Sequence, residues 1–183
     1  MKAIFLDRDG VINKDAGFGD YIRSWKAFEF LPGSLEALKK LTQSGFDIFI
    51  ISNQAGVAKG LYTKEDVQEI NRVLLKQAKA AGARIHSIHY CFHQDSDNCD
   101  CRKPKTGLFI QAAEGLDVDF KNTYFIGDSR RDVLAARAIG TKSIFVLSGN
   151  TKLEDLEVKP DFIAGNLLSA VEKIVLKNAN LKI

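Results

Sequence analysis

Short apolar runs alternate with amphipathic stretches along nearly the whole chain, and several of the apolar runs end in polar residues. That alternation limits the fold more than any other feature of the sequence. Lys2-Ala3-Ile4-Phe5-Leu6 reads as a first buried strand that closes on Asp7-Arg8-Asp9-Gly10. Residues 46–51 form a second, closing on Ser52-Asn53-Gln54, and residues 84–90 a third, leading into a cluster of cysteine and histidine. Residues 123–128 and 142–147 are the fourth and fifth, with a short strand near 161–163. Between them the apolar spacing and the capping residues predict helices over 34–44, 63–81, 106–116 and 130–139, and a last one over 167–177. Strand–helix alternation of this kind implies one α/β domain, residues 1–183, around a mainly parallel sheet. Residues 13–31 read as irregular, and the tail from Asn178 to Ile183 is expected to fray.

In an extended strand, residues i and i+2 point the same way. Asp7 and Asp9 therefore project together from a strand's carboxyl end, the edge at which open α/β sheets bind ligands. Gly10 lets the chain turn there. Two carboxylates so close repel unless a cation or a proton neutralises them, which points to a metal site; taken alone, the pair could equally be solvated loop acids. A parallel sheet gathers the other strand ends on the same edge. Ser52 brings a hydroxyl and following N–H groups that can hold phosphate oxygens, or is simply a turn serine. Arg102-Lys103-Pro104-Lys105 is a dense basic patch: either a solvated loop, or one cation for a transferring phosphoryl group and another for substrate. Asp128 is a second metal-binding acid. Asp132, one helical turn later, orients neighbours, caps backbone or touches metal-bound water.

Cys91-Phe92-His93 and Cys99-Asp100-Cys101 form a C-x-H…C-x-C set with five residues between the pairs. Four N/S ligands make a closed tetrahedral Zn²⁺ site and account for all three cysteines; free thiols and a surface histidine are the alternative. With no acid or open position the zinc is structural, bracing a loop (residues 91–103) that carries Arg102 and Lys103. His86 and His89 read as structural or solvated. The chain has 183 residues, 45% hydrophobic and 27% charged, with a net charge of +3. So mild and scattered a charge fits an anionic substrate and gives no basic–aromatic groove for nucleic acid. No apolar run reaches the roughly eighteen residues of a membrane span. The chain enters its first strand at once, which leaves no room for a secretory signal, and a cytoplasmic monomer is the expectation.

Taken together, Asp7-Arg8-Asp9-Gly10, Ser52-Asn53, Lys103, and Gly127-Asp128 with Asp132 resemble the motifs of the haloacid dehalogenase superfamily of phosphohydrolases, in order and over residues 3–147. The resemblance implies a Rossmann-like three-layer sandwich, a Mg²⁺ cofactor and an aspartyl-phosphate intermediate. Cys91, His93, Cys99 and Cys101 with Arg102-Lys103-Pro104 resemble a branch without a large cap domain, which holds the D-glycero-D-manno-heptose 1,7-bisphosphate phosphatases and the histidinol-phosphate phosphatases. Asp7 to Asn13, Ser52 to Ala58 and Gly60 to Thr63 look more like the heptose pattern. Ser52 stands where that family often has threonine, Phe92 where it usually has proline, and Ser129-Arg130 in place of a lysine-containing pair.

By this resemblance Asp7 is nucleophile and metal ligand. Asp9 is the acid and base and lends Mg²⁺ its carbonyl, and Asp128 completes the metal site. Ser52 and Lys103 stabilise the transferring group, and Arg102 reads the substrate. Asp15, Ala16, Gly17, Phe18, Ser52, Asn53, Gln54, Ala55 and Ser129 would line a small phosphorylated sugar. Three functions follow: the heptose bisphosphate 7-phosphatase of lipopolysaccharide or S-layer sugar synthesis, a phosphatase for histidinol phosphate or another small molecule, and a zinc-stabilised binding module without turnover. The intact acids and Lys103 speak against the last.

Overall fold

The computed structural model describes residues 1–17 and 19–180. Its strands are β1 (Ala3–Leu6), β2 (Asp47–Asn53), β3 (Ile85–Cys91), β4 (Tyr124–Gly127), β5 (Lys142–Val146) and β6 (Phe162–Ala164). They pair in the order β3-β2-β1-β4-β5-β6, each pair parallel. The chain winds outward from β1 to β3, then crosses back to place β4 on the other side of β1. The order reverses between β1 and β4, so the crevice beyond their carboxyl ends is the topological switch point. Asp7 follows the one strand and Asp128 the other.

The apolar runs are buried on both faces, and their period of two sorts them. Ile4, Leu6, Ile48, Ile50, Tyr124 and Ile126 face α1 (Ser34–Gln43), α2 (Lys64–Ala80) and the carboxyl-terminal helix. Phe5, Phe49, Ile51 and Phe125 face α3 (Gly107–Ala113) and α4 (Arg130–Ile139). The result is the expected Rossmann-like three-layer arrangement. Ala37, Leu38 and Leu41 supply the buried stripe of α1, and Ile70, Leu74 and Ala78 that of α2. On the other face Phe5 packs 5.2 Å from Phe49 and 5.3 Å from Phe109, ring centre to ring centre.

The boundaries differ where tertiary pairing overrides local pattern. β2 continues through Ser52 and Asn53, because they pair with Tyr90 and Cys91 of β3. α3 stops at Ala113, with Gly115 in the left-handed region just beyond (φ +72°). The last helix is not uniform: α5 (Leu167–Ala170) widens into a π-helical turn (Val171–Leu176) before α6 (Lys177–Asn180). The wide turn keeps Ala170, Val171 and Val175 all against the sheet. At its end Asn178 Nδ2 donates to the Tyr124 hydroxyl at 3.1 Å, and helix is formed to Asn180. The rest of that tail, residues 181–183, lies outside the described residues.

The segment after β1 is less irregular than its sequence suggests. Its two ends are laced together, Lys14 N–H to Glu29 C=O at 2.8 Å and Leu31 N–H to Ile12 C=O at 3.0 Å. Trp25 stacks on Phe28 within it, and Phe30 meets Phe28 edge to face. Among the described residues, neither this segment nor the turn after β2 adds a sheet or a long helix, and no helix is long and apolar enough to cross a membrane.

Leu38 is fully buried in the larger core. Leu38→Ala should cost about 2–5 kcal/mol in a denaturant titration. A loss below about 1 kcal/mol would mean that α1 is not packed as described.

Candidate active site

Asp7 is the first residue beyond β1, and its N–H still pairs with the Ile126 carbonyl at 2.9 Å. Its Oδ1 accepts the Arg8 N–H at 2.7 Å, and its Oδ2 lies 2.8 Å from Lys103 Nζ. The Lys103 ammonium also sits 2.6 Å from Asp132 Oδ1 and donates to the Ile51 carbonyl at 3.0 Å. Asn53 grips the Lys103 backbone from β2: its Oδ1 accepts the Lys103 N–H at 3.0 Å, and its Nδ2 donates to the Lys103 carbonyl at 3.1 Å. Asp132 occupies the third position of α4, where its Oδ2 accepts the Ser129 N–H and hydroxyl at 3.0 and 2.6 Å. One carboxylate thus caps a helix and orients the buried lysine. The sequence places Asp132 in the last motif as a residue that orients neighbours, caps backbone or touches metal-bound water, and the first two of these are what its two oxygens do.

Asp128 lies in a slot that glycines keep open. A Cβ at Gly10 would stand 2.2 Å from Asp128 Oδ2, and one at Gly149 1.8 Å from the same atom. Ser148 fastens the two loops together by donating to the Gly10 carbonyl at 2.7 Å. Asp7, Asp128 and Asp132 each offer an oxygen within 4.8 Å of one another. Burial pushes Asp7 up to about 7, with Lys103 opposing and Asp132 and Asp9 adding to the rise. Burial also holds Asp128 well above the ordinary carboxylate range, reinforced by Asp132 and Asp7. Burial works against the Lys103 charge, but Asp132 and Asp7 more than offset it and raise its pKa. Three crowded carboxylates against one ammonium make a hard-oxygen site with charge to spare, which fits a cation such as Mg²⁺.

The Asp9 carboxylate is not in that cluster. Arg8 Nη2 reaches both of its oxygens at 2.9 Å, Asn13 Nδ2 donates to Oδ1 at 2.8 Å, and Gln54 Nε2 donates to Oδ2 at 2.7 Å. Arg8 is fully buried. Burial disfavours its charge, but Asp9 and Tyr90 outweigh that and raise its pKa. Sequence reasoning passed over Arg8 and Asn13, because a charged or amide residue beside a turn normally points to water.

Cys91, His93, Cys99 and Cys101 converge as expected. Sulfur–sulfur separations are 3.1, 3.5 and 3.7 Å, and His93 Nδ1 lies 3.6 Å from Cys91 and 3.2 Å from Cys101. A tetrahedron with Zn–S of about 2.3 Å and Zn–N of about 2.0 Å has edges of roughly 3.5–3.8 Å. The four atoms fit that figure, slightly contracted, and are too far apart for a disulfide. Burial raises the Cys91 thiol above its ordinary range. The same loop holds Arg102, whose Nε donates to Asp95 at 2.8 Å and whose Nη1 donates to the His93 carbonyl at 3.2 Å. Arg131 of α4 reaches the other Asp95 oxygen at 3.0 Å, tying loop to helix.

Of the remaining expected substrate residues, Ser52, Gln54 and Ala55 are buried, and Asn53 turns to Lys103. Asp15, Ala16, Gly17 and Ser129 are half-buried, and the Asp15 charge is near enough to act on Asp128. Phe18 lies outside the described residues.

A family model described as HAD-hydrolase-like matches residues 100–170. The D-glycero-beta-D-manno-heptose-1,7-bisphosphate 7-phosphatase of Neisseria meningitidis serogroup A is 37% identical over 83% of this chain and 80% of its own length. The chain belongs to the heptose-bisphosphate phosphatase family of haloacid dehalogenase-like hydrolases. The enzyme of that name from Haemophilus ducreyi is 34% identical over 93% of this chain and 96% of its own. Among solved structures, the D,D-heptose 1,7-bisphosphate phosphatase from B. bronchiseptica, complexed with magnesium and phosphate, superposes with a TM-score of 0.90 at 32% identity, covering 97% of this chain and 99% of that one.

The raised acids give a signed pH effect. The unfolded chain ionises Asp7 near 3.8 and the folded chain near 7. Between those values the folded state binds more protons, so stability falls as pH rises through that window. In Mg²⁺-free buffer the melting temperature should be lower at pH 8 than at pH 5. A higher value at pH 8 would contradict the crowding of Asp7 and Asp128.

Proposed function

We propose that this chain hydrolyses the 7-phosphate of D-glycero-D-manno-heptose 1,7-bisphosphate through an aspartyl-phosphate formed on Asp7. One observation carries the reading: at the switch point Asp7 meets a buried Lys103 ammonium at 2.8 Å, beside Asp128. Overall relatedness to phosphatases named for that substrate supplies the sugar.

A carboxylate oxygen of Asp7 attacks phosphorus while the bond to the sugar oxygen breaks, and Asp9 gives that oxygen its proton. Asp9 then takes a proton from water, which attacks the same phosphorus. The bond to Asp7 breaks, releasing inorganic phosphate and restoring both acids. Lys103 offsets charge on the phosphoryl oxygens, helped by the Ser52 hydroxyl. Arg8, Asn13 and Gln54 donate to the two Asp9 oxygens and so fix the orientation of its carboxylate.

Asp7, Asp128 and the Asp9 carbonyl would hold Mg²⁺, which when bound offsets the repulsion between nucleophile and phosphate. Cys91, His93, Cys99 and Cys101 would hold one structural Zn²⁺. Arg102, on the loop that this zinc closes, would meet the second phosphate, with Asp15, Ala16, Gly17 and Ser129 around the sugar. The whole chain, residues 1–183, would act as one domain.

Phosphate release should be compared across the α and β anomers of heptose 1,7-bisphosphate and histidinol phosphate, with and without Mg²⁺. A heptose anomer should be the fastest, and faster turnover of histidinol phosphate would overturn the assignment. Asp7→Asn should lower kcat by roughly 10³-fold or more while the protein stays folded; full turnover in that variant would refute the covalent route. Metal analysis should find one zinc per chain, and Cys99→Ser/Cys101→Ser should lose it along with most of kcat.

A further inference from the structure

We propose that Tyr62, acting through Gln54, is a positioning residue that aims the Asp9 carboxylate. The Tyr62 hydroxyl donates to Gln54 Oε1 at 2.6 Å. Gln54 Nε2 donates in turn to Asp9 Oδ2 at 2.7 Å and to Ser52 Oγ at 3.1 Å. Gln54 is 1% exposed and Tyr62 6%, so water does not compete for these bonds.

The geometry around the pair is built for this contact. The Gln54 backbone is fixed by its N–H to the Cys91 carbonyl at 2.7 Å. The Tyr62 ring comes close against Gly56, where a Cβ would stand 2.1 Å from its Cε1. The Tyr21 ring packs beside it, centre to centre 5.8 Å, and Lys59 sits 5.3 Å over Tyr21. Thr63, the next residue, caps α2 with a reciprocal pair of bonds to Asp66, which anchors the backbone behind the ring.

An amide has two ends of nearly the same shape and opposite hydrogen-bonding sense. Reversed, Gln54 would set a carbonyl oxygen against the Asp9 carboxylate. Tyr62 supplies the donor that holds Oε1 away from Asp9 and leaves the N–H₂ aimed at it. Gln54, expected from sequence to line the substrate, has both ends of its amide engaged inside the protein. Gln54 touches Ser52 as well, at 3.1 Å, but the shorter bond runs to Asp9, so the relay rests on the acid–base role proposed above for that residue.

The test is steady-state kinetics on heptose 1,7-bisphosphate, repeated with fructose 1,6-bisphosphate as a second aliphatic phosphate ester, for Tyr62→Phe, Gln54→Glu, Gln54→Ala, the Tyr62→Phe/Gln54→Ala double variant and Asp9→Asn. Tyr62→Phe should lower kcat about tenfold with KM within about twofold, the scale of one buried hydrogen bond. Gln54→Glu keeps the acceptor for Tyr62 but loses the donor to Asp9, and should cost at least as much. In the Gln54→Ala background, Tyr62→Phe should change kcat by less than about twofold, because the residues act as one unit. Unchanged kcat in Tyr62→Phe, a loss carried by KM, or an equal loss in the Gln54→Ala background would each overturn the relay. Asp9→Asn separates the two ideas: full turnover there refutes the acid–base reading itself, whereas inactivity there with a fully active Tyr62→Phe refutes the relay alone.

Discussion

The buried ammonium of Lys103 is the contact on which the crevice depends. It is 2% exposed, lies 5.2 Å from the Phe125 ring centre, and has carboxylates at 2.8 and 2.6 Å. An unpaired cation there would be prohibitively desolvated, and so would the acids without it. Lys103 and its two acids therefore have to arrive together, and three separate elements deliver them. β1 brings Asp7, α4 brings Asp132, and the zinc-type loop brings the lysine, seated on β2 by Asn53. The remaining surplus of negative charge is what a divalent ion would neutralise.

Absence of side chains matters as much as their presence. Gly10 and Gly149 make the floor and wall of the Asp128 slot, and Gly127 admits Asp132, where a Cβ would fall 2.3 Å from the Asp132 Cβ. None of these glycines bears a functional group. Each sets how closely two loops approach, and so how tightly the acids crowd. Gly56 does the same for the Tyr62 ring.

Much of this was legible in the sequence. Burial of β1, β2 and β4 on both faces follows from their continuous apolar runs, and with those strands parallel, Asp7, Ser52 and Asp128 gather on one edge. The metal-type spacing of Cys91, His93, Cys99 and Cys101 also translated directly into convergence. What escaped depends on neighbours distant in the chain. The burial of Arg8 needs Tyr90, brought by β3, to cover with its ring the guanidinium that Asp9 neutralises. Asp132 faces Lys103 because the zinc-type loop delivers that lysine. The part played by Tyr62 exists because Gly56 leaves room for its ring. The π-helical turn at Val171–Leu176 has no local signature, since it answers to packing of Val171 and Val175 in the larger core.

The double bond from Asn53 to Lys103 carries an architectural consequence. Asn53 and Gln54 are consecutive residues: the first clasps Lys103, the second clasps the Cys91 carbonyl. The loop between those positions is therefore buttoned to the sheet at both ends, at one place. The lysine is thus kept in register with Asp7 by bonds to β2 that are separate from the four zinc-type ligands: the sheet sets where the charge sits, and the cysteine–histidine cluster sets the path of the loop that arrives there.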